Sequence, residues 1–209
     1  MPSLLFSLAQ LITANDASAL EKTLDRVRNE EFEPDRLPLI IHSSMRRAAI
    51  FGHAECLRLL APLSDIDAKL DALNWACANG KHECVQFLSS FFTSKELLHK
   101  ALLFATDFGH SECLRALLAI SNVEADMSAA LHVAARKGHV DCIKILLPRS
   151  DPAAKSLDGR SASTLAIDNG HNEASILIED WILAHKEALI FLDETQDNHV
   201  NHFIPKIRL

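Results

Sequence analysis

Three short stretches of this chain carry residues that could hold a metal. His53 and Cys56, His110 and Cys113, and His139 and Cys142 share an H-x-x-C spacing, and His82 with Cys84 adds a fourth pair. Imidazole nitrogen and thiolate sulfur are the ligands zinc takes in structural sites, four at a time and at about 2.0–2.3 Å. His199 and His202 form one H-x-x-H, but with no cysteine or carboxylate beside them they are a weak metal signal. Catalytic patterns are missing. There is no G-x-S-x-G around a serine, no G-x-x-x-x-G-K-[ST] and no G-x-G-x-x-G. An enzyme would need a site assembled from scattered residues.

The elements that would have to position the His–Cys pairs argue against metal. Each pair sits just after a glycine, and the glycines Gly52, Gly80, Gly109, Gly138 and Gly170 follow one another at steps of 28, 29, 29 and 32 residues. A near-constant step in that range marks a repeat array. Counted from each glycine, the residue four before is Ala48, Ala76, Ala105, Ala134 and Ala166 without exception. Seven before stand Met45, Leu73, Leu102, Leu131 and Ser163. Three after stand Glu55, Glu83, Glu112, Asp141 and Glu173. Four after stand Cys56, Cys84, Cys113, Cys142 and Ala174, and eight after stand Leu60, Leu88, Leu117, Leu146 and Ile178.

Each column has a physical reason. Glycine takes the left-handed conformation that ends a helix. The acids fall in the first turn of a second helix, where the helix dipole favours them. The alanines mark a close helix approach. The cysteines and leucines give the second helix an apolar stripe at 3.6 spacing. Equivalent residues of stacked helix pairs lie about 8–10 Å apart, too far to share one zinc. The cysteines, with Cys77, are therefore expected to be small buried hydrophobes, and the histidines to brace the turns. No metal is expected.

Ala130-Leu131-His132-Val133-Ala134-Ala135, followed by Gly138-His139, resembles the T-P-L-H-x-A-A-x-x-G-H signature of ankyrin repeats, with Ala129-Ala130 in place of Thr-Pro. Asp158-Gly159-Arg160-Ser161-Ala162 looks like the turn that opens such a repeat. The resemblance covers residues 42 to 180 well and 4 to 27 weakly. It implies an all-α, ankyrin-like solenoid of stacked helix-turn-helix repeats with a terminal cap at each end. The family repeat is about 33 residues, so the short steps here predict short or absent fingers and little or no β-structure.

The domain organisation expected is a capping helix pair over 1–27, a loop over 28–41, five repeats over 42–181, and a C-terminal helix and tail over 182–209. In the cap, Asn15 stands where glycine stands later, and Asn is the next-best residue for the left-handed conformation. The loop, marked by Glu30-Glu31, Pro34 and Pro38, is either a partner-binding loop or a surface insertion. The tail from Phe203 to Leu209 alternates apolar and basic residues and either folds back or serves as a docking tail.

Of the 209 residues, 48% are apolar and 23% charged, with a formal charge of −7. That balance argues against nucleic acid or an acidic membrane as the main partner, since both need a basic face. No run reaches the roughly 18 apolar residues of a membrane span. Five cysteines, an odd number, and no basic n-region before Lys22 point to a cytoplasmic, reducing setting.

The resemblance also implies a working surface. In ankyrin arrays the residues one, two and five before the glycine tend to face the concave side. Those positions supply Arg47, Phe51, Trp75, Asn79, Phe104, Phe108, Arg136 and Lys137 as candidate protein-binding residues. Trp75 and Phe104 stand five before the glycine, a half-buried position in the family, so packing is an alternative role for them. The function implied is a monomeric module that binds another protein, without a cofactor, as a scaffold or as a secreted effector capturing a target. An inhibitor or immunity-type protein that occludes an enzyme is an alternative, and an enzyme with an unrecognised site is another.

Overall fold

Helix starts and stops follow from side chains that the sequence places at each end. The computed structural model describes residues 4–29, 36–120 and 127–196. They form α1 (Leu4–Thr13), α2 (Ala17–Asn29), α3 (Leu37–Phe51), α4 (Ala54–Leu60), α5 (Ile66–Ala78), α6 (His82–Ser89), α7 (Lys95–Asp107), α8 (Ser111–Ile120), α9 (Ser128–Lys137), α10 (Val140–Leu146), α11 (Ala162–Asp168) and α12 (Asn172–Gln196). No strand occurs among the described residues. Asp65, Ser94 and Ser161 cap α5, α7 and α11 by accepting from the amides of Ala68, Leu97 and Thr164, the role short polar residues fill at helix starts. Pro62 and Pro148 follow α4 and α10, where the missing amide stops the ladder and the chain tightens into 3-10 turns at Ala61–Leu63 and Leu147–Arg149.

The chain divides into two compact units, Met1–Val123 with α1 to α8 and Glu124–Leu209 with α9 to α12. In the first unit the leading helices of each pair pack in succession, α1 on α3, α3 on α5 and α5 on α7. The following helices do the same, α2 on α4, α4 on α6 and α6 on α8, and each leading helix packs on its own follower. The second unit repeats the plan with α9 on α11, α10 on α12, α9 on α10 and α11 on α12. The alanine column lies where these rows meet: Ala48, Ala76, Ala105, Ala134 and Ala166 are all fully buried. A larger side chain there would push neighbouring helices apart.

One feature of the organisation differs from the sequence reading. The stretch 28–41 is not one loop: α2 runs to Asn29 and α3 starts at Leu37. Pro38 falls in the first turn of α3, where its missing amide has no helical partner to lose. Residues 30–35 lie outside the described residues. At the other end α12 continues the last repeat helix without a break to Gln196, so the residues after Trp181 prolong that helix. The tail from Phe203 and the His199–His202 pair lie outside the described residues. Asn15 does take the left-handed conformation, with φ of 55°, and Asp16 beside it caps α2 by accepting from the Ala19 amide at 2.9 Å.

Candidate protein-binding surface

A residue one position away from a buried alanine is turned about 100° around the helix. That offset decides the exposure of the candidate residues. Trp75 precedes the fully buried Ala76 yet is 40% exposed, and Phe104 precedes the fully buried Ala105 yet is 43% exposed. Phe51 and Phe108, just before their glycines, are 45% and 51% exposed. Trp75 and Phe104 are therefore nearly as open to solvent as the other two. Arg47 is exposed on α3. The structure thus gathers Arg47, Phe51, Trp75, Phe104 and Phe108 on α3, α5 and α7 and their C-terminal ends, helices that pack in succession.

Asn79 has a second role that the sequence reading missed. It ends α5, and its side-chain amide donates to the Trp75 carbonyl at 2.8 Å. Asn169 does the same for α11 on the Leu165 carbonyl, also at 2.8 Å. An amide able to reach back one turn closes the helix, so Asn79 presents less free polarity than its position suggests. Arg136 and Lys137 are exposed in the last turn of α9, where the helix dipole favours cations. They belong to the second unit.

Three of the turns that follow leading helices, at Gly52, Gly80 and Gly138, are covered by a side chain of the next repeat. Gly80 has φ of 69°, and a Cβ placed on it would stand 2.7 Å from Nδ1 of His110. Nε2 of His110 donates to the Ala78 carbonyl at 3.1 Å. His110 therefore bonds to the turn of the preceding repeat. Gly138 and His171 stand in the same relation, and Lys81 takes that place over Gly52. Near that first turn His53 stacks on Phe51, with ring centroids 5.9 Å apart. Burial, with the Lys81 charge second, holds the His53 imidazole below its ordinary range.

Cys56, Cys77, Cys84, Cys113 and Cys142 are all buried, and none forms a disulfide. Burial, with Glu83 next in effect, pushes the Cys84 thiol up to about 11. Burial and then Asp141 push Cys142 up to about 11. Among the described residues no three His, Cys, Asp or Glu side chains come together as metal ligands.

A family model described as Ankyrin repeats (3 copies) matches residues 45–129 and 102–188. The chain belongs to the ankyrin repeat family. Ankyrin repeats are generally protein–protein interaction modules, and the family is typically non-enzymatic. No curated protein matches the sequence. Among the described residues no helix is long and apolar enough to cross a membrane.

Beyond the ankyrin columns, the structure adds a feature that the repeat pattern did not point to. A cleft of ≈ 350 Å³ opens between α1 and α3, lined by Ala9, Leu39, Ile40, Ser43, Ser44 and Arg47. Its signal in the sequence is the spacing Leu39, Ser43, Arg47, Phe51, four residues apart throughout, which sets one stripe along α3. The stripe escapes column counting because its first half stands before the ankyrin consensus begins.

Proposed function

We propose that this protein is a recognition module that binds another protein across the exposed stripe of its leading helices. Phe51, Trp75, Phe104 and Phe108 are the anchors, Arg47 and Asn79 flank them, and Arg136 and Lys137 offer a basic complement from the second unit. The observation that carries this reading is the exposure of four large aromatic rings, 40–51% each, in a chain whose buried core is almost wholly aliphatic side chains and cysteine. Scattered single apolar residues are ordinary on a surface, but aromatics at equivalent positions of adjoining helices are the residues that dominate binding energy in interfaces.

The test is a pull-down with mass spectrometry, followed by affinity measurement for the recovered protein with Phe51→Ala/Phe108→Ala. Truncating an interface aromatic costs about 2 kcal/mol or more, so the double variant should bind several hundredfold more weakly if the two terms add. Melting is measured in parallel. Kept folding with unchanged affinity refutes the reading.

A further inference from the structure

The cleft between α1 and α3 lies between helices whose combined charge differs in sign from that of the whole chain. The chain carries −7, yet α1 (LLFSLAQLIT) contains no charged residue and α3 (LPLIIHSSMRRAAIF) contains Arg46 and Arg47 and no acid. Both arginines are exposed, and among the described residues neither has a hydrogen-bond or ion-pair partner. His42, also on α3, is occupied by Asp71 at 3.1 Å. Arg47 lines the cleft itself, and Leu39 on its opposite end is 73% exposed. Phe6 on α1 is 53% exposed. The cleft thus combines an apolar floor with an unpaired guanidinium at its rim.

Resting on the reading above, we infer that this cleft is a specificity pocket for an acidic segment of the partner protein, one that inserts an aliphatic or aromatic side chain beside Leu39 and Ile40 and offers a neighbouring carboxylate to Arg47. The volume equals roughly a dozen waters at about 30 Å³ each, and filling it with an apolar side chain releases water from an apolar lining. Arg47 presents a planar fork that pairs with a carboxylate through two hydrogen bonds. A basic segment would meet two arginines with no intervening acid on either wall. A neutral segment would leave Arg47 unpaired on a surface it partly dries.

The experiment pans the full chain against a random peptide library displayed on phage and measures the enriched peptides as synthetic ligands. The inference expects peptides that place Asp or Glu beside Leu, Ile, Phe or Met, with affinity that falls as salt rises. Arg47→Glu should weaken them about tenfold or more, Leu39→Asp should do likewise, and Arg47→Lys should retain part of the binding. Both positions are exposed, so melting should be unchanged. Enrichment of basic or neutral peptides, or acidic peptides that bind Arg47→Glu and wild type alike, overturns the inference. Peptides lost on Phe51→Ala/Phe108→Ala but kept by Arg47→Glu and Leu39→Asp overturn the pocket and leave the wider surface standing. The reverse pattern supports the pocket and removes the wider surface.

Discussion

Gly138 and Gly170 end equivalent helices of the second unit, with φ of 72° and 79°, but only one of them is covered. A Cβ on Gly138 would stand 2.5, 2.6 and 2.9 Å from Nδ1, Cγ and Cε1 of His171. A Cβ on Gly170 would meet nothing within 4 Å. Both Gly→Ala replacements force an L side chain into the left-handed region, at about 1–2 kcal/mol. Gly138→Ala must also displace the His171 ring from its rotamer, which adds about 0.5–1.5 kcal/mol before lost packing is counted. The expected losses are then roughly 2–3.5 kcal/mol for Gly138→Ala and 1–2 kcal/mol for Gly170→Ala.

The chain has two tryptophans, Trp75 in the first unit and Trp181 in the second. Urea unfolding read by Trp181 fluorescence in a Trp75→Phe background therefore reports the unit that carries both glycines. His171→Ala completes a double-mutant cycle. In the Gly138→Ala background it should restore about 0.5 kcal/mol or more relative to additivity, because it removes the ring that the new methyl strikes. Equal destabilisation by the two glycine variants, with an additive cycle, would refute the claim that His171 covers the turn at Gly138.

Asp65→Ala should cost about 1 kcal/mol through the lost cap on the Ala68 amide, seen as a lower urea midpoint with unchanged slope. Ala105→Leu should cost about 1–3 kcal/mol by overpacking the fully buried alanine column, read as a lower melting temperature. Cys84 and Cys142 should label slowly with a thiol reagent in the native state and fast in denaturant, since burial holds both near 11 and the thiolate is the reactive form. The same shifts raise the folded pKa above the unfolded value of about 8.5. Their stabilising contribution is therefore complete below about pH 8.5 and is lost as pH rises toward 11, which a pH series of melting curves will show.

The repeat step and the alanine, cysteine and glycine columns were legible because each column is a local demand repeated four or five times. A left-handed helix end, a close helix approach and a dipole-favoured first turn depend on near neighbours, so chance coincidence is quickly excluded. What sequence did not convey was contact between repeats. The sequence points to His110 as a brace for a turn, but not to which one: its bond goes to Ala78, 32 residues earlier. Asn79 reads from its position as a candidate protein-binding residue, and nothing in its type tells that the Trp75 carbonyl lies within reach. The start of α3 at Leu37 was missed because Pro38 and the acids before it read as breakers, whereas proline in a first turn breaks nothing. The cleft depends on how α1 lies on α3, and α1 belongs to the least regular repeat, where column matching is weakest.

The interleaving of the two kinds of position has a consequence for how binding and folding separate. Arg47–Ala48, Trp75–Ala76 and Phe104–Ala105 are sequence neighbours with opposite fates: each alanine is fully buried, and each residue before it is exposed. Enlarging the alanines acts on the helix contact and on every repeat stacked against it. Truncating the residue before removes atoms that largely face water, so it costs far less than the 3–5 kcal/mol of a core aromatic. Nearest-neighbour coupling then keeps the change local to one repeat. A set of variants at Arg47, Trp75 and Phe104 can therefore alter recognition one helix at a time while the alanine column goes on holding the array, and the order in which binding is lost along α3, α5 and α7 would trace the path of the bound segment across the first unit.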